Sequence, residues 1–146
     1  MNKKAKRGED TEECLHYIKQ SYLVSAKDYF DDYCIYLEWN REREKRFYLP
    51  RRKELLTVVK ALQDLEDDKL DVLCISEPPG IGKTTLAIFY LTWLAGKYPD
   101  EMILGGSHSN SFLHGVYEEC GNIIMGGDYT WKEIFPDVKV CGTNAK

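Results

Sequence analysis

A short glycine-rich segment carries the residue types that bind phosphate groups. Gly80, Gly82, Lys83 and Thr84 follow one another in the order G-x-G-K-T. The two glycines let the backbone curl so that successive N–H groups point toward one anion. In loops of this kind the lysine ammonium bridges the β- and γ-phosphates of a nucleotide, and the threonine hydroxyl ligates Mg²⁺. The spacing therefore predicts a phosphate-binding loop, or P-loop, that takes ATP and Mg²⁺.

The segment departs once from the general P-loop pattern, G-x-x-x-x-G-K-[ST]. Glu77 stands where the pattern has its first glycine. Pro78 and Pro79 donate no N–H, so the anion-binding backbone must begin at Gly80. Lys83 is the predicted catalytic residue, and Thr84 is the predicted metal ligand. The predicted nucleotide-binding residues are Pro79, Gly80, Ile81, Gly82, Lys83, Thr84 and Thr85.

The segments on either side of the loop predict how it is positioned. Residues 72–76 form a short continuous apolar run, which is typical of a central parallel strand. Residues 86–95 are apolar nearly all round and predict a buried helix, with Gly96 as its left-handed C-cap. Residues 102–105 resemble a second strand. Strand, helix and strand at this spacing indicate a βαβ unit and therefore a parallel sheet.

The residues before the loop predict helices. Asp10 would cap a first helix that runs to about Tyr22, and Ser25 would cap a second. The second helix would continue as an exposed segment through the alternating charges of residues 41–46. Pro50 would lie in the first turn of a third helix, because proline is tolerated there.

These elements divide the chain into three predicted parts. Residues 1–9 are expected to form a disordered basic arm, and residues 10–66 a helical N-terminal region. Residues 67–146 would form a partial P-loop ATPase domain. The predicted fold class is therefore α/β, with an incomplete RecA-like parallel sheet preceded by an all-helical region.

Composition and charge exclude several classes of protein. The chain has 146 residues and a net charge of −4, which argues against a protein that grips nucleic acid over its whole surface. No apolar run approaches the ~20 residues needed to span a membrane. The basic start of the chain is not followed by the apolar segment of a secretory signal. The five cysteines are widely scattered, which indicates free thiols in a reducing cytoplasm.

From residue 75 onward the chain resembles the ATPase domain of large terminase subunits from tailed bacteriophages. The resemblance spans roughly residues 49–140 and lies in the order of several weak features rather than in the loop alone. These features are the loop 78–84, the aromatic helix 87–94, the exit Gly96-Lys97-Tyr98-Pro99, the turn 105–109 and the late Ile134-Phe135-Pro136.

The resemblance implies a function and a set of partners. Large terminases are motors that use ATP to drive double-stranded DNA into an empty capsid. They contact a portal ring and a small terminase subunit, and the resemblance also suggests a homo-oligomer. The implied location is the bacterial cytoplasm, during infection or from a prophage. No membrane partner is expected.

Two departures from the family affect these expectations. The segment 49–54 occupies the place of the family's adenine-recognition motif but lacks its glutamine, so the preferred base is left open. The family's Walker B strand, which ends in aspartate, has only the weak counterpart 123–128, and the nuclease domain has none. The chain is therefore expected to be the front part of a terminase that binds ATP without hydrolysing it. Open strand edges would then favour self-association.

Other readings of the same residues remain. A helicase loader or another P-loop ATPase would carry the same loop. A small-molecule kinase is disfavoured, because such enzymes use an arginine-rich lid and residues 105–146 contain no arginine. Residues 107–109 are expected to form a loop near the nucleotide or a plain strand-to-helix turn. Arginines and lysines between residues 41 and 53 are the one candidate DNA-facing strip, although interleaved glutamates favour a solvated helix.

Overall fold

The structure is a computed structural model that describes residues 3–141, with side chains from residue 11 onward. Six helices and one 3-10 turn make up its regular secondary structure over this range. The helices are α1 (Lys3–Ser25), α2 (Phe30–Leu37), α3 (Tyr48–Glu66), α4 (Lys83–Lys97), α5 (Asn110–Met125) and α6 (Trp131–Ile134), and the 3-10 turn is Arg43–Lys45. None of these helices is both long enough and apolar enough to cross a membrane.

The predicted parallel sheet is wrong for the part of the chain that the structure describes. Residues 72–76 and 102–105 have no regular secondary structure, and no backbone hydrogen bond joins the two segments. Met102 and Leu104 are 100% and 98% exposed, so their side chains do not face a core. A strand exists only where a neighbouring strand accepts and donates its backbone hydrogen bonds. Without such pairing, residues 3–141 form an all-helical structure rather than an α/β sheet.

The first two helices differ from their predicted bounds. α1 begins at Lys3, upstream of the predicted cap Asp10 and across most of the predicted disordered arm, while Met1 and Asn2 lie outside the described residues. Ser25 ends α1 instead of capping α2, because its hydroxyl donates back to the carbonyl of Ser21 at 3.0 Å. Serine hydroxyls compete in this way for backbone carbonyls one turn earlier.

The charged segment 41–46 does not continue α2 as predicted. α2 ends at Leu37, and the chain turns back through the 3-10 turn. Arg46 stabilises this turn, since its guanidinium donates to the carbonyls of Trp39 at 2.7 Å and of Arg41 at 2.9 Å. Both hydrogen bonds use the side chain of Arg46, which the alternating charges had predicted to be exposed to solvent.

The third helix follows its prediction closely. Pro50 lies in the first turn of α3, and Leu55, Val58, Val59 and Leu62 form the buried stripe. A proline is tolerated there because the first N–H groups of a helix have no acceptor within it. α3 ends at Glu66, where the acidic loop begins.

Aromatic side chains tie α4 to the N-terminal helices. Trp93 is fully buried, and its indole N–H donates to the carbonyl of Ala26 at 3.0 Å. The hydroxyls of Tyr33 and Thr92 are 2.7 Å apart in the same buried region. The indole N–H of Trp131 donates to the carbonyl of Thr92 at 2.9 Å. Each aromatic side chain therefore buries its ring and still satisfies its polar group.

Gly96 has a different role from the predicted left-handed cap. α4 continues to Lys97, and the positive backbone φ values of glycine occur at Gly80 and Gly82 but not at Gly96. The ring of Phe135 lies directly on Gly96, and a methyl group there would overlap the ring. Gly96 is needed for this close approach, which joins two features of the terminase resemblance in one contact.

Candidate functional site

The two glycines of the loop adopt the backbone conformations that the pattern requires. Gly80 has φ +85° and Gly82 has φ +104°, and both values are strained for residues with a side chain. Pro79 and Gly80 fit the central positions of a type II turn, which has proline first and a residue of positive φ second. Pro79 and Gly80 are exposed, so the turn faces solvent. Both glycines of the predicted curl therefore have a positive φ.

The loop leads directly into the N-terminus of α4. Gly82 is the N-cap, and the first helical hydrogen bond runs from the N–H of Leu86 to the carbonyl of Gly82 at 3.0 Å. The N–H groups of Lys83, Thr84 and Thr85 precede that bond and have no acceptor within the helix. Because Gly82 has no side chain to cap them, they and the helix dipole are available to an anion. The exposed Thr84 hydroxyl stands at the same end.

Lys83 folds back over the start of the loop. Its ammonium donates to the carbonyl of Pro78 at 3.0 Å and to the carbonyl of Glu77. These two carbonyl oxygens are the acceptors that phosphate oxygens would have to replace. Lysine suits such an exchange, because its flexible stem carries a compact charge with three donors.

Phe47 belongs to the site, although the sequence did not single it out. Its ring lies on Gly82, and a methyl group on Gly82 would overlap ring atoms Cε2 and Cζ. The ring meets Phe89 of α4 edge to face, with centroids 5.6 Å apart. The guanidinium of Arg51 lies 5.2 Å from the ring centroid. A contact between residues so far apart in the sequence leaves no local pattern that could predict it.

An apolar cavity of about 410 Å³ lies beside the loop. Leu55, Ile75, Tyr90 and Leu113 contribute to its walls, and Glu77, Lys83 and Thr84 lie at its loop end. Burial, helped by the charge of Glu66, raises the pKa of the Tyr90 hydroxyl to about 12. The phenol therefore stays neutral and donates to the carbonyl of Leu62 at 3.3 Å. Glu77 lines the same cavity as Lys83 and Thr84.

The turn at residues 107–109 starts a helix. The Ser109 hydroxyl caps α5 by accepting the N–H of Phe112 at 3.3 Å, and Ser107 accepts the N–H of Ser109 at the same distance. These bonds agree with the helix side of the predicted strand-to-helix turn, but residues 102–107 before it form no strand. The weak Walker B counterpart does not form a strand, because residues 123–125 lie in α5.

Several basic residues of the candidate DNA-facing strip are engaged within the fold. Arg41 pairs with Glu38 at 3.0 Å, and Arg52 pairs with Asp31 at 2.6 Å. Arg46 binds the two backbone carbonyls of the turn after α2. These contacts give part of the strip a structural role. Among the side chains of residues 11–141, no cluster of three from His, Cys, Asp or Glu is placed to hold a metal ion.

Comparisons with protein families, curated proteins and solved structures found no match to this chain.

Proposed function

We propose that the chain binds the triphosphate of ATP, with Mg²⁺, at residues 79–85. The observation that carries the proposal is the combination of two positive-φ glycines with an uncapped helix N-terminus and Lys83. The N-cap of α4 is Gly82, which has a positive φ and no side chain that could occupy the first N–H groups of the helix. The backbone at this end of α4 is thus shaped for a ligand with several anionic oxygens.

Each residue of the loop would have a distinct part in binding. The N–H groups of Lys83, Thr84 and Thr85 would donate to phosphate oxygens. The ammonium of Lys83 would exchange the carbonyls of Glu77 and Pro78 for the β- and γ-phosphates. The hydroxyl of Thr84 would supply a ligand to Mg²⁺, and Mg²⁺ would neutralise charge between the phosphates. Binding through one loop and one helix does not require the sheet that the structure lacks.

The broader role that we propose is the ATP-binding part of a phage terminase large subunit, which powers the movement of double-stranded DNA into a procapsid. The support is the order of features from residue 78 to residue 136. Gly96 and Phe135, two of those features, are in direct contact. Portal protein and small terminase subunit would be its partners in the host cytoplasm.

A series of ligands tests the binding proposal. Inorganic triphosphate, ATP, ADP and AMP would each be titrated with and without Mg²⁺ against the full chain by calorimetry. We expect affinity to rise with the number of phosphates and to rise further with Mg²⁺, because the contacts are to phosphate oxygens. AMP binding as tightly as ATP would contradict the proposal, since the base and ribose would then carry the affinity.

Two further tests address the broader role. We expect no steady ATP turnover, because no apolar strand ending in aspartate follows the loop within the sequence. Turnover that Thr84→Ala abolishes would contradict this and would point to Glu77 or Asp128 as the acid. The encoding DNA is the second test. A nuclease domain encoded after this segment would support the terminase role, and an adjoining replicative helicase gene would favour a helicase loader.

A further inference from the structure

Glu38 is a buried carboxylate that caps a helix distant from it in the sequence. Its side chain accepts the N–H of Phe47 at 2.8 and 2.9 Å and the N–H of Tyr48 at 2.8 Å. Arg41 completes the set with an ion pair at 3.0 Å. Glu38 is 1% exposed, so its charge is stabilised by these donors and not by water. The N-cap residue Phe47 has no capping side chain of its own, and Glu38 supplies the missing acceptor.

The hydrogen bonds that Glu38 accepts hold Phe47, the residue that contacts the phosphate loop. They hold the backbone N–H of Phe47, whose ring lies on Gly82 and packs against Phe89. Arg41 extends the same network, because it donates to the Tyr129 hydroxyl at 2.8 Å and Tyr129 also packs against Phe89. The ring of Phe47 is therefore held by its own backbone on one side and by α4 on the other.

Gly82 is the point at which this network meets the candidate site. It is the N-cap of α4 and has the positive φ that turns the loop into the helix. A glycine at such a position can adopt many conformations, so an external contact is needed to keep one of them. The Phe47 ring is that contact on the side of α3.

We propose that Glu38 is a positioning residue for the phosphate loop, acting through Phe47 on Gly82. The proposal rests on the assignment of residues 79–85 as the triphosphate site. It assigns to the helical N-terminal region a part in shaping that site, beyond its packing against α4. Substitutions of Glu38 or Phe47 that weaken these contacts should increase local opening of residues 80–85 without unfolding the whole molecule.

The test compares Glu38→Gln and Phe47→Ala with the unmodified full chain. Glutamine keeps the shape of Glu38 but replaces one carboxylate oxygen with an amide N–H₂, so either the Tyr48 N–H or the Arg41 guanidinium loses its acceptor and Phe47 keeps one of its two. Glu42→Gln is the matched control, because it removes the same charge from an exposed residue that pairs with Lys45 at 3.0 Å. Phe47→Leu serves as the conservative rescue, since it keeps apolar bulk over Gly82.

The first readout is amide hydrogen exchange of residues 80–85 in the ligand-free protein. We expect faster exchange in Glu38→Gln and Phe47→Ala, partial restoration in Phe47→Leu and no change in Glu42→Gln. The second readout is the affinity for Mg-ATP, which we expect to fall by about ten- to a hundredfold in the first two variants because the donors are misplaced.

The outcomes separate the two proposals. Faster exchange at the start of α3 with unchanged exchange at residues 80–85 would overturn the positioning role and leave Glu38 as a helix cap. If the unmodified chain does not bind Mg-ATP, the triphosphate assignment fails, and the exchange data alone decide whether Glu38 shapes the loop. If Glu38→Gln does not fold, Phe47→Ala and Phe47→Leu decide it by the same comparison.

Discussion

The two faces of α4 differ in how completely the chain covers them. On one face, Trp93 is buried against Phe30 and Tyr33 of α2, and Phe89 is buried against the rings of Phe47 and Tyr129. On the other, Ala87 and Leu91 line an apolar cavity. In the apolar segments 72–76 and 102–105, Val72 is 77% exposed and Met102 is fully exposed, whereas Leu73 packs against the core.

The difference shows which contacts fix the phosphate loop. The covered face holds α4 through rings whose polar atoms are satisfied, and Phe47 extends it to Gly82. The other face of α4 borders the apolar cavity, and the segments 72–76 and 102–105, which contribute to its wall, form no strand. We infer that the geometry of the loop depends on the helical side of the molecule.

Side-chain truncations on the two faces of α4 that lower the free energy of unfolding equally would contradict this comparison. Trp93→Ala removes a fully buried indole and should lower the free energy of unfolding by about 3–5 kcal/mol. Leu104→Ala on the open face should change it by less than about 0.5 kcal/mol, because Leu104 is 98% exposed. Urea unfolding of both variants measures the difference. Equal losses would show that residues 102–105 are packed in solution.

Gly96 sharpens the comparison at the covered face. Gly96→Ala places a methyl group into the ring of Phe135 and should destabilise the protein by about 1–3 kcal/mol. Gly115→Ala is the matched control, because Gly115 lies within α5 with open space around it. Alanine there should stabilise the helix by up to about 1 kcal/mol. Thermal unfolding checks both signs, and a neutral Gly96→Ala would mean that Phe135 moves aside without cost.

The ion pair between α2 and α3 makes the covered face sensitive to acid. Burial raises the pKa of the Asp31 carboxyl, but hydrogen bonds from Arg52 and Tyr48, with the charge of Arg52, outweigh it and hold that pKa below 3.8. A carboxyl group whose pKa is lower in the folded than in the unfolded protein stabilises the fold at pH values above its unfolded-state pKa. This contribution is lost as the pH falls through the folded-state pKa. Because Arg52 is partly exposed, we expect a contribution of about 1 kcal/mol at neutral pH.

Asp31→Asn should therefore lower the free energy of unfolding by about 1 kcal/mol near pH 7. The loss should become progressively smaller below about pH 4, which is close to the ordinary pKa of aspartate. Urea unfolding at a series of pH values measures the difference between the two proteins. Asp137→Asn, which removes the same charge from an exposed side chain, is the control. A cost for Asp31→Asn that is the same at pH 7 and pH 3 would contradict the assignment of the ion pair.

The sequence predicted the elements whose causes are local. Proline and glycine determine backbone geometry from their own structure, so Pro50 correctly indicated the start of α3, and Gly80 and Gly82 the curl of the loop. α4, Lys83–Lys97, includes the whole of the predicted buried helix 86–95. The exposed continuation after α2 was wrong, because Arg46 finds backbone acceptors that only the folded turn creates.

Features that depend on distant partners could not be predicted in the same way. An apolar run shows that a segment favours burial, but the backbone pairing that makes it a strand comes from elsewhere, and residues 72–76 lack it in the structure. The contact of Phe47 with Gly82 and that of Phe135 with Gly96 likewise depend on how helices pack. In both, the sequence contains the glycine and the phenylalanine but does not indicate that the two are in contact.

The most direct test of the account is the binding of Mg-ATP to the unmodified chain, Lys83→Ala and Lys132→Ala. Lys132→Ala removes the same charge from an exposed residue of α6 and is the matched control. We expect Lys83→Ala to lose at least about tenfold in affinity, since a hydrogen-bonded charge on phosphate contributes ~1.5–3 kcal/mol. Lys132→Ala should bind as the unmodified chain does. Equal affinity of all three proteins would contradict the assignment of the loop.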